Sequence, residues 1–115
     1  MTVKEFYDVA GGGYEEMFAK FSSDATITAF LKIFNRDKSY DTLTQKLAEG
    51  DVSGAFQAAH TLKGVVLNLN IVGLIKPVVD VTEALRANDL DGAKKLYEDL
   101  KGNYEHVVTA LKQLL

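Results

Sequence analysis

The sequence contains no cysteine and only one proline among its 115 residues. Without cysteine, the chain forms no disulfide and has neither a thiol nucleophile nor a thiolate ligand for a metal. This composition fits a reducing compartment. The β-branched residues do not alternate with polar ones either, so the pattern counts against strands and favours helices.

An excess of positive charge and long apolar runs are also missing. The net charge is −3, whereas binding to nucleic acid phosphates requires a basic surface. The apolar runs are only a few residues long, and a membrane-spanning helix needs about 20 residues. The N-terminal residues show no cationic segment followed by an apolar one, so we expect no signal peptide. We therefore expect a cytoplasmic protein that binds neither nucleic acid nor membrane.

The residues that are present fit a single domain spanning residues 1–115. Apolar residues make up 47% and charged residues 25% of the chain, the ordinary balance of a globular protein. Apolar residues recur at spacings of three and four, the period of an α-helix. This pattern predicts an all-α fold whose body, residues 39–115, is an antiparallel up-down four-helix bundle. Residues 1–36 are predicted to form short helices that flank the bundle.

Polar residues mark several helix boundaries. Thr2 and Glu5 form a capping-box pattern at the first helix, and Ser39 is a good N-cap for the first helix of the bundle. Asp51 can cap the next helix, which is predicted to run from about residue 52 to residue 69. Asn70 can close that helix because asparagine tolerates the left-handed backbone conformation.

A proline and a set of aromatic residues give further predictions about the helices. Pro77 lies inside the helix after Asn70 and removes one backbone hydrogen bond, so we expect a kink or a late start there. Four aromatic residues of the N-terminal helices recur at helical spacing and are predicted to be core residues rather than a ligand site: Phe18, Phe21, Phe30 and Phe34.

One segment, "AAHTLKGVVLNLN" at residues 58–70, places a histidine and a lysine on adjacent turns of an otherwise apolar helix. Successive residues of a helix are rotated by about 100°. The apolar residues of this helix therefore share one side, which is predicted to face the core: Ala55, Ala59, Leu62, Val66 and Leu69. His60 lies roughly 120° from the centre of that side, so its imidazole is predicted to face solvent.

Other residues share the outer side with His60: Gln57, Thr61, Gly64 and Asn68. Lys63 and Leu67 lie at its boundary. A solvent-facing imidazole is a nucleophile near neutral pH and can accept a phosphoryl group. Lys63 could neutralise charge on that group, and Gly64 leaves the next turn bare for a partner that approaches in line. The spacing alone leaves open a plain alternative, in which His60 is solvated, Lys63 covers core and Gly64 is a packing contact.

The same segment resembles the signature of histidine-containing phosphotransfer (HPt) domains, which pass a phosphoryl group between receiver domains of two-component phosphorelays. The family motif runs His-x-Leu-Lys-Gly, then small residues, then Asn-Leu-Gly. Six residues match it: His60, Leu62, Lys63, Gly64, Asn68 and Leu69. The stretches "EGDVSGAFQAAHTLKG" and "ALRANDLDGAKKLYEDL" are also similar to bacterial members. The resemblance implies that His60 is phosphorylated, that Lys63 neutralises charge and that Gly64 gives access.

The resemblance also implies a carrier without autonomous catalysis. Its partners would be response-regulator receiver domains and a hybrid histidine kinase, with the phosphoryl group passing between His60 and receiver aspartates. No cofactor or metal is expected in the chain itself, and Mg²⁺ is expected at the partner's acidic site. The chain is expected to be a monomer. Four residues are predicted to form a receiver-docking surface: Gln57, Thr61, Leu67 and Asn68.

Three features depart from the family pattern. Val66 and Leu67 stand where small residues are usual, and Leu67 either crowds the imidazole or adds to an apolar docking surface. Asn70 replaces a common glycine but can adopt the same helix-ending geometry. Some members orient the imidazole with a polar residue of the next helix, for which the nearest candidates are Asp80, Thr82 and Glu83.

Two alternatives belong to other classes of protein. One is a helical module that docks on receivers or other signalling proteins without carrying phosphate, although the intact His60 and Lys63 argue against it. The other is a purely structural helical domain. His106, the only other histidine, lies off the apolar stripe of the last helix and is interpreted as a solvated residue. Two histidines on different helices with scattered carboxylates match no usual metal-ligand spacing.

Overall fold

Seven α-helices and no strands make up the computed structural model, which describes residues 1–115. The N-terminal part contains α1 (Val3–Val9), α2 (Tyr14–Phe21) and α3 (Asp24–Arg36). The body contains α4 (Ser39–Glu49), α5 (Val52–Asn68), α6 (Val72–Arg86) and α7 (Leu90–Leu114). The predicted all-α class is confirmed. The N-terminal helices are not uniformly short, because α3 has 13 residues and α4 has 11.

The body is an up-down bundle in which each helix packs against the next one along the chain. The contacts between its first and last helices show that these two are antiparallel as well. Tyr40, at the start of α4, stacks on Tyr104 in the second half of α7, with ring centroids 3.8 Å apart. Gly50, just after α4, lies beside Leu90 at the start of α7.

One continuous apolar core joins residues from all seven helices. On α5 the predicted core side is buried: Ala55, Ala59, Leu62, Val66 and Leu69. Ala58 is buried beside them. The helical wheel therefore identified the buried side of α5, and the opposite side of this helix faces away from the bundle core. No helix combines the length and the apolar character needed to cross a bilayer.

Hydrogen bonds fasten the N-terminal segment to the end of α5 and the start of α6. The Tyr7 hydroxyl donates to the Leu69 carbonyl at 2.7 Å, and the Gly73 N–H donates to the Ala10 carbonyl at 2.7 Å. A Cβ atom at position 73 would lie 2.8 Å from that carbonyl oxygen, so the close approach requires glycine. The N-terminal helices are thus tied directly to the end of α5.

Asn70 ends α5 with a left-handed backbone, at φ 51°, as predicted. Its side-chain amide also donates to the Gly13 carbonyl at 3.3 Å. A glycine at position 70 would supply the same backbone conformation without that hydrogen bond. Asparagine in place of the usual glycine at position 70 therefore keeps the helix-ending geometry and adds a hydrogen bond to the N-terminal segment.

Two of the predicted helix caps are confirmed. The Thr2 hydroxyl accepts from the Glu5 N–H at 3.1 Å, and the Glu5 carboxylate accepts from the Thr2 N–H at 2.9 Å, which completes the capping box. Asp51 accepts from the Gly54 N–H at 2.9 Å and so caps α5. Each cap satisfies a backbone donor that has no partner within its own helix.

The cap predicted at Ser39 is wrong. Ser39 is the first residue inside α4, and Lys38 occupies the N-cap position. The Asp37 carboxylate accepts from the Ser39 N–H at 2.8 Å instead. The late start predicted at Pro77 is also wrong, because α6 begins at Val72, before the proline. A kink at Pro77 stays a prediction.

The aromatic residues of α2 and α3 are not all in the core. Phe34 is buried, as predicted, but Phe18 and Phe30 are 44% and 37% exposed. Phe21 is half-buried and packs on Phe30, with ring centroids 4.8 Å apart. The prediction failed for Phe18 and Phe30 because helical spacing identifies a side of a helix but not whether another element covers it.

Candidate functional site

His60 lies at the middle of the 17-residue helix α5, and its side chain is exposed. Ala59 and Leu62, on the other side of the helix, are fully buried and fix α5 against the core. The imidazole makes no hydrogen bond to another group of the protein. Both ring nitrogens are therefore unoccupied by protein partners, on a helix that packing holds in place.

Lys63 and Gly64 lie one turn further along α5, beside His60. The Lys63 side chain is half-buried and forms no ion pair within the chain, so its charge is not neutralised by a neighbouring carboxylate. A Cβ atom added at Gly64 would have no neighbour within 4 Å. The alternative in which Gly64 is a helix-packing contact is therefore wrong, and the surface next to His60 is open.

The four predicted docking residues are all exposed on α5: Gln57, Thr61, Leu67 and Asn68. Leu67 is 47% exposed and lies seven residues beyond His60, which is about 10 Å along the helix axis. That separation is too large for Leu67 to crowd the imidazole. Of the two interpretations of Leu67, the geometry favours a contribution to an apolar surface.

Two clefts border α5 at different heights along its axis. Near the middle of the helix, Gln57 and Thr61 line a cleft with Lys38 and Thr42, at the start of α4. Near the end of the helix, Asn68 borders an apolar groove of about 390 Å³ between α5 and the N-terminal helices. The groove is lined by these residues: Lys20, Phe21, Phe30, Ile33, Phe34, Val65, Asn68 and Leu69. The exposed Phe30 thus lies near the end of the site helix.

None of the three polar candidates for orienting the imidazole is bonded to it. Asp80 pairs with Lys76 at 2.6 Å, which raises the pKa of Lys76. Thr82 is fully buried and donates its hydroxyl proton to the backbone of its own helix at 2.7 Å. Glu83 pairs with Arg86 at 3.1 Å. The three candidates are therefore each paired with another residue of α6 and not with His60.

Phe56 and Arg86 contact the site but were not predicted from the sequence. The Phe56 ring stacks on the His60 imidazole, with centroids 5.9 Å apart and planes inclined by 24°. The Arg86 guanidinium carbon lies 4.9 Å from the centroid of the Phe56 ring. Phe56 could have been found, since it precedes His60 by four residues on one helix. Arg86 could not, because its position depends on how α6 packs on α5.

His106 is exposed on α7 and lines a separate cleft with Met1 and Val9 of the N-terminal segment. No group of three or more His, Cys, Asp or Glu residues is arranged to hold a metal ion. The two histidines thus lie in different surroundings, and only His60 has a lysine and a bare glycine one turn away.

The Hpt domain family matches residues 37–114, and the chain therefore belongs to this family. The match covers α4 to α7 and includes His60, Lys63 and Gly64, whereas α1 to α3 lie outside it. Comparison with curated proteins and with solved structures gives no significant match. Family membership supports a general role in histidine phosphotransfer within phosphorelays.

Proposed function

We propose that the chain is a phosphorelay carrier that holds a phosphoryl group on His60 and shuttles it between aspartates of receiver domains. The observation that carries this proposal is the exposed imidazole at the middle of α5, next to a lysine without an ion pair and a glycine that faces open space. The core side of α5 is buried against the bundle, and the side that carries His60 is accessible to a second protein.

The transfer step requires a neutral imidazole and a partner that arrives in line. The lone pair of a ring nitrogen attacks the phosphorus atom of a receiver's aspartyl phosphate. A nitrogen–phosphorus bond forms, the bond from phosphorus to the aspartate oxygen breaks, and the aspartate leaves as a carboxylate with that electron pair. The other ring nitrogen keeps its proton. Donation to the next receiver reverses these bond changes.

Lys63 and Gly64 have different roles in this step. The Lys63 ammonium lies one turn from the imidazole and offsets part of the phosphoryl group's negative charge. Gly64 keeps the adjacent surface free of side-chain atoms, so that a receiver aspartate can approach the imidazole. Phosphoryl transfer depends mainly on such positioning and charge neutralisation. The chain itself supplies no metal, and Mg²⁺ would be held by the receiver.

Receivers and a hybrid histidine kinase are the proposed partners of a monomeric, cytoplasmic carrier. They would dock over His60 on the exposed side of α5, which carries Gln57, Thr61, Leu67 and Asn68. Leu67 supplies apolar area there, and the Lys63 charge complements the acidic site expected of a receiver.

Incubation with a phosphorylated receiver domain tests the proposal. Acid-labile label should appear on the wild-type chain and on a His106→Gln variant, and it should be absent from a His60→Gln variant. His106 is the matched control because it is the only other histidine and is also exposed. Labelling that survives in His60→Gln would rule out the assigned site. Receiver binding without any labelling of the wild-type chain would favour the docking module instead.

A further inference from the structure

We infer that Phe56, itself contacted by Arg86, positions the His60 imidazole for phosphoryl transfer; this inference rests on the function proposed above. Phe56 and Arg86 are positioning residues, because neither would touch the phosphoryl group. The observation behind the inference is the stacked arrangement of a guanidinium, a phenyl ring and an imidazole across α6 and α5.

The contact between Phe56 and His60 has the geometry of an offset aromatic pair. Such pairs have centroids about 4.5–7 Å apart, and here the separation is 5.9 Å with nearly parallel planes. Phe56 is half-buried and packs against the core, whereas His60 is exposed. The phenyl ring is therefore anchored by its contacts with the core, and the exposed imidazole packs against it.

Arg86, in the last turn of α6, contacts the Phe56 ring. Its guanidinium carbon lies 4.9 Å from the Phe56 centroid, within the distance of about 6 Å at which a cation is attracted to an aromatic face. The Glu83 carboxylate accepts from Arg86 Nε at 3.1 Å and restrains the guanidinium. The arrangement thus links the last turn of α6 to the ring that supports His60.

A stacked neighbour can orient the imidazole without engaging either of its nitrogens. The imidazole has no hydrogen bond from the protein, so the stack is the contact that restricts its rotation. Stacking occupies the face of the imidazole and leaves both nitrogens at the ring edge free to react. Because small misplacements of reacting groups can slow a reaction by about 100-fold, restricting the ring should raise the rate of transfer.

The test compares Phe56→Leu with Phe56→Tyr, using Phe30→Leu as a matched control. Phe30 is another partly exposed aromatic residue, but on α3. Two donors are used: a phosphorylated receiver domain and phosphoramidate, which is too small to need a docking surface. Phe56→Leu should lower the maximal rate roughly 10- to 100-fold with both donors. Phe56→Tyr should retain the wild-type rate, since it keeps the ring, and Phe30→Leu should label normally with phosphoramidate.

Arg86→Ala tests the outer member of the arrangement, with Arg36→Ala as its control on α3. We expect Arg86→Ala to slow labelling by phosphoramidate, by less than Phe56→Leu does, and Arg36→Ala to leave it unchanged. Equal rates for Arg86→Ala and the wild-type chain would show that Arg86 does not help to position His60.

With the receiver as donor, the receiver concentration that gives half-maximal rate should stay unchanged in Phe56→Leu. A changed half-saturation with normal phosphoramidate labelling would make Phe56 a docking residue and overturn its positioning role.

Nuclear magnetic resonance separates failure of this inference from failure of the proposed function. The Phe56 ring current should shift the His60 ring protons, and the shift should disappear in Phe56→Leu and remain in Phe56→Tyr. An unchanged His60 spectrum in Phe56→Leu would show that the stack does not form in solution. If the wild-type chain shows the shift but takes no label from either donor, the proposed carrier function fails, and the positioning role fails with it although the stack exists.

Discussion

The hydroxyl of Tyr7 donates a 2.7 Å hydrogen bond to the carbonyl of Leu69, a residue 62 positions away along the chain. Tyr7 lies on α1, outside the part of the chain that matches the Hpt family, whereas Leu69 is the C-cap residue of the site helix. Burial raises the pKa of the Tyr7 hydroxyl, which therefore stays protonated as a donor. The N-terminal helices support the end of α5 through this bond.

Tyr7→Phe should lower the free energy of unfolding by about 1–3 kcal/mol, because the buried Leu69 carbonyl loses its partner. Urea denaturation measures the change. Tyr14→Phe is the control, since the Tyr14 hydroxyl bonds to Asp24 at 2.6 Å on the exposed surface, where water can replace the lost partner. Equal losses in the two variants would show that the buried bond to Leu69 has no special importance for stability.

The cap of the site helix should make stability depend on pH in the acidic range. The Gly54 N–H and, to a lesser degree, the Lys46 ammonium hold the pKa of Asp51 below its usual value. A carboxylate with a lowered pKa in the folded state stabilises it above the unfolded-state pKa, which is about 3.9. That contribution disappears as the pH falls through the folded-state pKa.

Asp51→Asn should therefore melt below the wild-type chain at neutral pH, and the difference should shrink as the pH falls below about 4. Asparagine keeps a capping oxygen but does not titrate. Asp51→Ala removes the cap altogether and should melt lower than Asp51→Asn throughout. A constant difference between wild type and Asp51→Asn across this range would contradict the linkage of Asp51 ionisation to folding.

The sequence predicted those parts of the fold that depend on local pattern. The period of Ala55, Ala59, Leu62 and Val66 identified the buried side of α5, and with it the exposure of His60. The start of α4 was placed correctly, but its cap was not. Several polar residues precede that helix, and local sequence does not decide which of their side chains reaches the backbone N–H groups.

Features that depend on tertiary packing could not be predicted in this way. The predicted antiparallel topology places the end of α6 near the start of α5, but the contact of Arg86 with Phe56 also depends on how the two helices are rotated against each other, which no local pattern specifies. The exposure of Phe18 and Phe30 depends on which sides of α2 and α3 the bundle covers. The motif suggested that the surface next to Gly64 is open. Only the positions of the neighbouring atoms show that Gly64 does not pack against another helix.

Lys63→Ala should slow phosphoryl uptake from a receiver by about fivefold at low salt, since the attraction between two exposed or partly exposed charges is worth up to about 1 kcal/mol. The defect should become smaller as ionic strength rises, because salt already screens the charge in the wild-type chain. Lys94→Ala, at an exposed lysine on α7, is the control for loss of net charge. An identical salt dependence of the two variants would argue against a local role for Lys63.

Gly64 and Gly102 form a matched pair for the last prediction, because both lie inside helices and a Cβ atom at either position would meet nothing within 4 Å. Replacing either glycine with alanine should stabilise the fold by about 0.5–1 kcal/mol, since glycine costs more backbone entropy. Glutamine at either position should also be tolerated by the fold.

Phosphoryl transfer should distinguish the two positions. Gly64→Gln puts a bulky side chain one turn from His60 and should slow uptake from a receiver by roughly 100-fold, whereas Gly102→Gln should transfer at the wild-type rate. Gly64→Ala should have a smaller effect than Gly64→Gln, because a methyl group obstructs less. Melting temperatures and transfer rates of all four variants, measured with one receiver, separate stability from access. If Gly64→Gln and Gly102→Gln transfer equally fast, the open surface beside His60 is not the path by which a receiver aspartate reaches the imidazole.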